Sequence, residues 1–167
     1  SPDLSMDVKC GKGAFMKSEA DAERLASFLV KTAQAMGKSS CALLTRMDSP
    51  LGFKVGNYLE IEETLECLQG KDPADVMELT YALASRMVVF GGKAKDPEDG
   101  IAKCKEAVRS GEALSKFLEN VKAQGGNPDK LLSEQGKRRS KFKSELFAKQ
   151  DGFLKVDAYK TGIACIN

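Results

Sequence analysis

Gly11-Lys12-Gly13, followed at once by Ala14, Phe15 and Met16, is the first group whose residue types and spacing could do chemistry. In MDVKCGKGAFMKSEADAERL, residues 6–25, it lies between a short apolar strand and a well-capped amphipathic helix. That order suits an anion, because a helix N-terminus aims unsatisfied N–H groups at negative charge. The two glycines match part of a dinucleotide fingerprint. The third glycine position, however, holds Met16, which blocks close helix-to-strand packing, and no acidic residue clearly ends the next strand to hold a ribose. No G-x-x-x-x-G-K-[ST] pattern occurs either. A plainer account is a tight turn that needs positive φ, with Phe15 and Met16 as core residues. Against it, Phe15 falls at the carboxyl end of an expected parallel strand, the edge where ligands collect in open α/β sheets.

The second group is LGFKVGNYLEIEE, Leu51 to Glu63. A glycine-rich turn presents bare carbonyl oxygens, and a carboxylate from Glu60, Glu62 or Glu63 would complete a site for a hard cation. An acidic first turn that favours the helix dipole explains the same residues without a ligand. A third group, KRRSKFK at 137–143, could touch phosphates, but it carries one aromatic, Phe142, and no stacking platform, so a solvated linker accounts for it.

What is missing narrows the chemistry. The chain has no histidine. This removes Ser-His-Asp and Cys-His catalysis and His-containing zinc sites. Its five cysteines (Cys10, Cys41, Cys67, Cys104, Cys165) are odd in number, scattered and without a C-x-x-C pair, which predicts a reducing, cytoplasmic setting and no structural zinc. A net charge of +2 is too small to imply nucleic acid. No apolar run approaches the ~20 residues of a spanning helix, so no membrane partner is expected.

The elements that must position these groups can be read from periodicity. Leu4 to Cys10 predicts a strand buried at Leu4, Met6 and Val8. Ser18 is an expected N-cap, with Leu25, Phe28, Leu29, Thr32, Ala33 and Met36 as the helical stripe behind it up to Gly37. SSCALLTRM, 39–47, predicts a second strand, and the βαβ unit is expected to be parallel and right-handed. Further helices follow: one from Asn57 to Gly70 with Leu59, Leu65 and Leu68, and one behind Asp72-Pro73 with Val76, Leu79, Leu83, Met87 and Phe90. Two more open at Asp96-Pro97 and near Leu114, the latter ending at Gly125-Gly126. They predict a helical layer over the sheet, within one α/β domain over 1–135. Residues 136–149 read as a basic linker, and 150–167 as the start of a C-terminal subdomain, with β character around Asp151-Gly152 and Asp157 capping a last helix.

Two stretches then cease to be anonymous. MDVKCGKGAFMKSEADAERLA and ALLTRMDSPLGFKVGNYLEIEETLECLQGKDPADVMELT resemble the matching segments of the pyrimidine nucleoside phosphorylases and thymidine phosphorylases. The blocks MDVK-x-G-x-GAFM, ALLT-x-M-x-x-PLG-x-x-VGN-x-LE-x-x-E and G-x-x-PAD occur in family order, and SGEALSKFLENVKAQGGNPD and DGFLKVDAYKTGIACIN are similar too. The resemblance implies a pentosyltransferase: phosphate attacks the anomeric carbon of thymidine or uridine and releases the free base and a (deoxy)ribose 1-phosphate. Positioning and electrostatics carry such a reaction, so no histidine or covalent nucleophile is required of this stretch.

Carried over by position, the resemblance gives Phe15 the role of lining the pyrimidine pocket. It makes Leu51 and Lys54 carbonyl donors, and Glu63 the carboxylate donor, to a structural potassium ion; no other cofactor is implied. Lys54 departs from the small residue usual there, and its ammonium puts the cation site in question; Cys10 replaces a more usual Val or Thr. The family's phosphate-binding and base-gripping residues are expected upstream of Ser1, so the chain by itself is expected to be inactive. The full-length enzyme is expected to be a homodimer. The rival expectations are an anthranilate phosphoribosyltransferase, which shares the architecture but not the GAFM and PLG-x-x-VGN blocks, and a non-catalytic binding module that keeps half the fold.

Overall fold

The computed structural model describes residues 3–71 and 73–166. Two parallel strands, β1 (Asp3–Cys10) and β2 (Ser39–Arg46), are joined by α1 (Glu19–Ala35) in a βαβ unit. Asp3 pairs with Ser39 and Cys10 with Arg46, so both carboxyl ends open on one side. Helices α2 (Asn57–Leu68), α3 (Ala74–Phe90), α4 (Pro97–Arg109), α5 (Glu112–Ala123) and α6 (Pro128–Glu134) follow, and α7 (Ala158–Ile166) comes last. The expected α/β class with a helical layer is what the chain adopts. No helix among the described residues is long and apolar enough to cross a membrane.

Ser18 caps α1 as its spacing predicts, its side chain accepting the Asp21 N–H. The buried face of α1 differs from the expected one. Ala22, Ala26 and Ala33 face inward, while Phe28 and Met36 are exposed. Small side chains let the helix approach the sheet closely, and Ala22 and Ala26 pack with Val8 beside Cys10, Met16, Leu25, Leu29 and Ala42. Large residues signal burial in a sequence, but close approach selects alanine. In β1 only Val8 of the three expected core positions is fully buried, and Leu4 is exposed.

A similar close approach joins α3 to α4. Ser85 is fully buried, and a Cβ on Gly100 would lie 2.8 Å from the Ser85 carbonyl oxygen, so only glycine fits the crossing. Met77 and Ser85 form the buried face of α3, whereas Met87, expected in the stripe, is exposed. The expected cap at Asp72 lies outside the described residues. Asp96 caps α4 through the Asp99 N–H, with Pro97 at the first helical position. Asn127 and Pro128 do the same for the short α6, which the periodicity alone missed.

Residues 144–157 correct a further expectation: they form no strand, and Phe147, Phe153 and Leu154 are exposed. Alternating apolar residues make a strand only where a neighbour accepts their backbone hydrogen bonds. Asp157 does cap α7, accepting the Lys160 N–H at 3.1 Å, and the Ala158 N–H donates to the Asp48 carbonyl at 3.0 Å. The basic run divides. Arg138 lies 4.4 Å above the Tyr58 ring and pairs with Glu134, Arg139 turns to Glu62, and residues 140–157 are largely exposed.

Candidate functional site

Both singled-out groups lie where the strands end. After β1, Gly11 has φ +118°, which a side chain would strain, and the Asp48 carboxylate sits where its Cβ would be. Gly13 is needed for a different reason. Its N–H donates to the Met47 carbonyl at 2.8 Å, and a Cβ would lie 2.9 Å from that oxygen. Together with Gly11 N–H to the Met16 carbonyl and Ala14 N–H to the Gly11 carbonyl, these bonds fold the turn largely by backbone. Met16 packs on the core as the plainer account requires, but Phe15 does not: its side chain is 99% exposed. It stands beside a cavity of about 420 Å³ lined by Lys9, Met16, Leu25, Leu29 and Met47.

After β2, the loop from Ser49 to Gly56 is held by acids. Phe53 N–H donates to Glu63 Oε1 at 2.8 Å, Gly56 N–H to Glu60 at 3.0 Å and Gly52 N–H to Asp75 at 3.1 Å. Gly52 has φ +69°, and a Cβ there would lie 2.3 Å from Glu63 Oε2, so the carboxylate rests directly on the loop backbone. Lys54 Nζ pairs with Glu62 at 2.8 Å and with Glu66 at 2.7 Å. Burial opposes the Lys54 charge, but the two carboxylates hold its pKa above the usual lysine value. Glu62, 2% exposed, also accepts from Gly136 N–H and from Arg139. Its hydrogen bond from Lys54 outweighs burial and brings its pKa down from 4.5 to about 2.

This arrangement distinguishes the three glutamates that the sequence left open. Glu60 serves its own helix start, and Glu62 is taken by Lys54 and Arg139. Glu63 is 7% exposed, and no lysine or arginine among the described residues pairs with it. Nor does the Leu51 or Lys54 carbonyl accept a hydrogen bond among the described residues. A buried carboxylate without a counter-charge, lining one cavity with two residues whose carbonyl oxygens are unused, is a donor set suited to a hard cation, so these residues fit the group the resemblance implies. Leu51, Lys54 and Glu63 line one cavity of about 630 Å³ with Thr80, Tyr81 and Cys104. Phe15 is not among its lining residues; Lys9 and Met47 border both cavities.

One cluster was not foreseen in the sequence. On β1, Lys9 Nζ pairs with Asp7 at 2.6 Å, and Thr45 of β2 donates its hydroxyl to Asp7. The available signal was the polar pair at 7 and 9 in a strand of a parallel sheet, where both faces are usually covered.

The chain belongs to the glycosyl transferase family, a/b domain, which it matches over residues 3–114, and its α/β fold is consistent with that family. It is 36% identical over 164 residues to the pyrimidine-nucleoside phosphorylase of Bacillus subtilis (strain 168), covering 98% of this chain and 38% of that protein. To the pyrimidine-nucleoside phosphorylase of Staphylococcus aureus (strain USA300) it is 38% identical over 151 residues, 90% of this chain and 35% of that protein. The chain thus spans little more than a third of the length of these curated relatives.

Proposed function

We propose that this chain is the central part of a pyrimidine nucleoside phosphorylase, supplying the pyrimidine-lining aromatic and the cation corner for reversible phosphorolysis of thymidine or uridine. The observation that carries this reading is the placement of GKGAF and PLGFKVG at the carboxyl ends of adjacent parallel strands, in a chain similar to phosphorylases along nearly its whole length. Phe15 presents a bare ring to stack on or flank a flat base. Leu51 and Lys54 carbonyls with the Glu63 carboxylate would hold potassium. When bound there, the ion would fix the loop and balance the buried charge. The resemblance implies that the phosphate clamp and the base-gripping groups lie in other parts of the relatives' length, so the chain alone is inactive in this reading.

Replacing the matching segment of the Bacillus subtilis phosphorylase with residues 3–166 tests the assignment. A folded chimera should release thymine or uracil in proportion to added phosphate, followed by ultraviolet absorbance. A folded chimera that releases no base, or releases it without phosphate, would contradict the proposal. The isolated chain should release none. The same reading makes the full-length enzyme a cytoplasmic homodimer. Supporting the location, the five cysteines are odd in number and scattered with no C-x-x-C pair; light scattering on the full-length protein checks the dimer.

A further inference from the structure

A lysine in the middle of a cation-binding loop ought to destroy the site, because its ammonium is the natural partner for the buried carboxylate. Lys54 does not take that place. Its Nζ reaches Glu62 and Glu66, at 2.8 and 2.7 Å, and leaves Glu63 without a lysine or arginine partner among the described residues. The helix explains how. Glu62 and Glu66 are four residues apart and share one face of α2, whereas Glu63, one residue on, points about 100° away around the axis. The loop therefore straddles the helix, with the Lys54 side chain anchored on one face and the Phe53 N–H bound to Glu63 on the other. Arg139 and the Gly136 N–H hold Glu62 as well, so that carboxylate is a fixed post.

We infer that Lys54 is a positioning residue whose ammonium straps the β2–α2 loop to α2, holding the Leu51 and Lys54 carbonyls toward Glu63 so that the corner takes a monovalent cation. This rests on the cation reading of the same corner. The ion pairs take up Glu62 and Glu66 and leave Glu63 as the one carboxylate in the proposed donor set, which suits a single charge on the ion.

Two accounts of Lys54 make opposite forecasts. If its charge merely repels a bound ion, removing it strengthens cation binding; if it is a strap, removal weakens binding. Thermal unfolding of the full chain in KCl, against NaCl and choline chloride at equal ionic strength, reads this directly, because a ligand of the folded state raises the midpoint in a saturable way. The wild type should show a saturable rise specific to K+, and Glu63→Gln should lack it. Lys54→Met should raise the half-saturating K+ concentration about tenfold and lose preference over Na+, as for other residues that orient metal ligands. Lys54→Arg should restore both. Should Lys54→Met not fold, Glu66→Gln removes one of the two anchors at a more exposed position and should weaken K+ by about threefold.

A wild type without a K+-specific rise overturns the cation reading and the strap together. A rise that Glu63→Gln abolishes but that Lys54→Met or Glu66→Gln leaves unchanged or strengthens overturns the strap alone.

Discussion

The loops that follow β1 and β2 stand side by side and are built by opposite means. The first is folded mainly by its own backbone, through glycines that allow positive φ and close approach, and it leaves Phe15 exposed to the surroundings. The second is laced down by Glu60, Glu62, Glu63, Glu66 and Asp75, so its shape depends on charge. Under the proposed function, the first loop offers a ring to a neutral base, which needs shape alone. In the same proposal the second loop gathers oxygens around a cation, which needs a carboxylate, and the carboxylates of α2 also fasten it.

The largest expected effect separates the two loops by stability. Gly52→Ala would place a methyl against the Glu63 carboxylate at a left-handed backbone position, and should cost about 4 kcal/mol by urea denaturation. Gly11→Ala meets the Asp48 carboxylate less closely and should cost about half as much, roughly 2 kcal/mol. Equal losses at the two glycines would remove the contrast.

Next comes pH. The Glu62 carboxyl is held at about 2 in the folded chain against 4.5, chiefly by Lys54. The stability it contributes is therefore complete above pH 4.5 and is lost as pH falls toward 2, a change of about 3 kcal/mol. Glu62→Gln should lower stability at pH 7 by a similar amount and flatten the acid limb of the denaturation profile. An acid limb unchanged by this substitution would show that charge does not hold the second loop.

The smallest effect on stability is expected at Phe15. An exposed ring contributes little to folding, so Phe15→Ala should change stability by under about 0.5 kcal/mol. In the phosphorylase chimera the same substitution should raise KM for the nucleoside. A large stability loss with unchanged KM would return Phe15 to a structural role.

Much of this contrast was legible in the sequence. Strand and helix periods, the caps at Ser18, Asp96 and Asp157, and the glycine turns are local signals, and each appears where its chemistry places it. Burial was less legible, because the α1 core is made of Ala22, Ala26 and Ala33, whose small size says nothing about inwardness until the sheet is present. The segment around Asp151-Gly152 misled for a related reason: strand propensity needs a neighbour. The resemblance named Leu51, Lys54 and Glu63, but the partners of Lys54 depend on how the loop crosses α2. That crossing is tertiary, and it turns an apparent obstacle into an anchor.

The most direct measurement is anomalous diffraction from a crystal of the chain soaked in thallium(I), a heavy stand-in for potassium. One strong peak is expected, bounded by the Leu51 and Lys54 carbonyl oxygens and the Glu63 carboxylate, with Lys54 Nζ still on Glu62 and Glu66. No peak there, or a Lys54 ammonium turned onto Glu63, would contradict it.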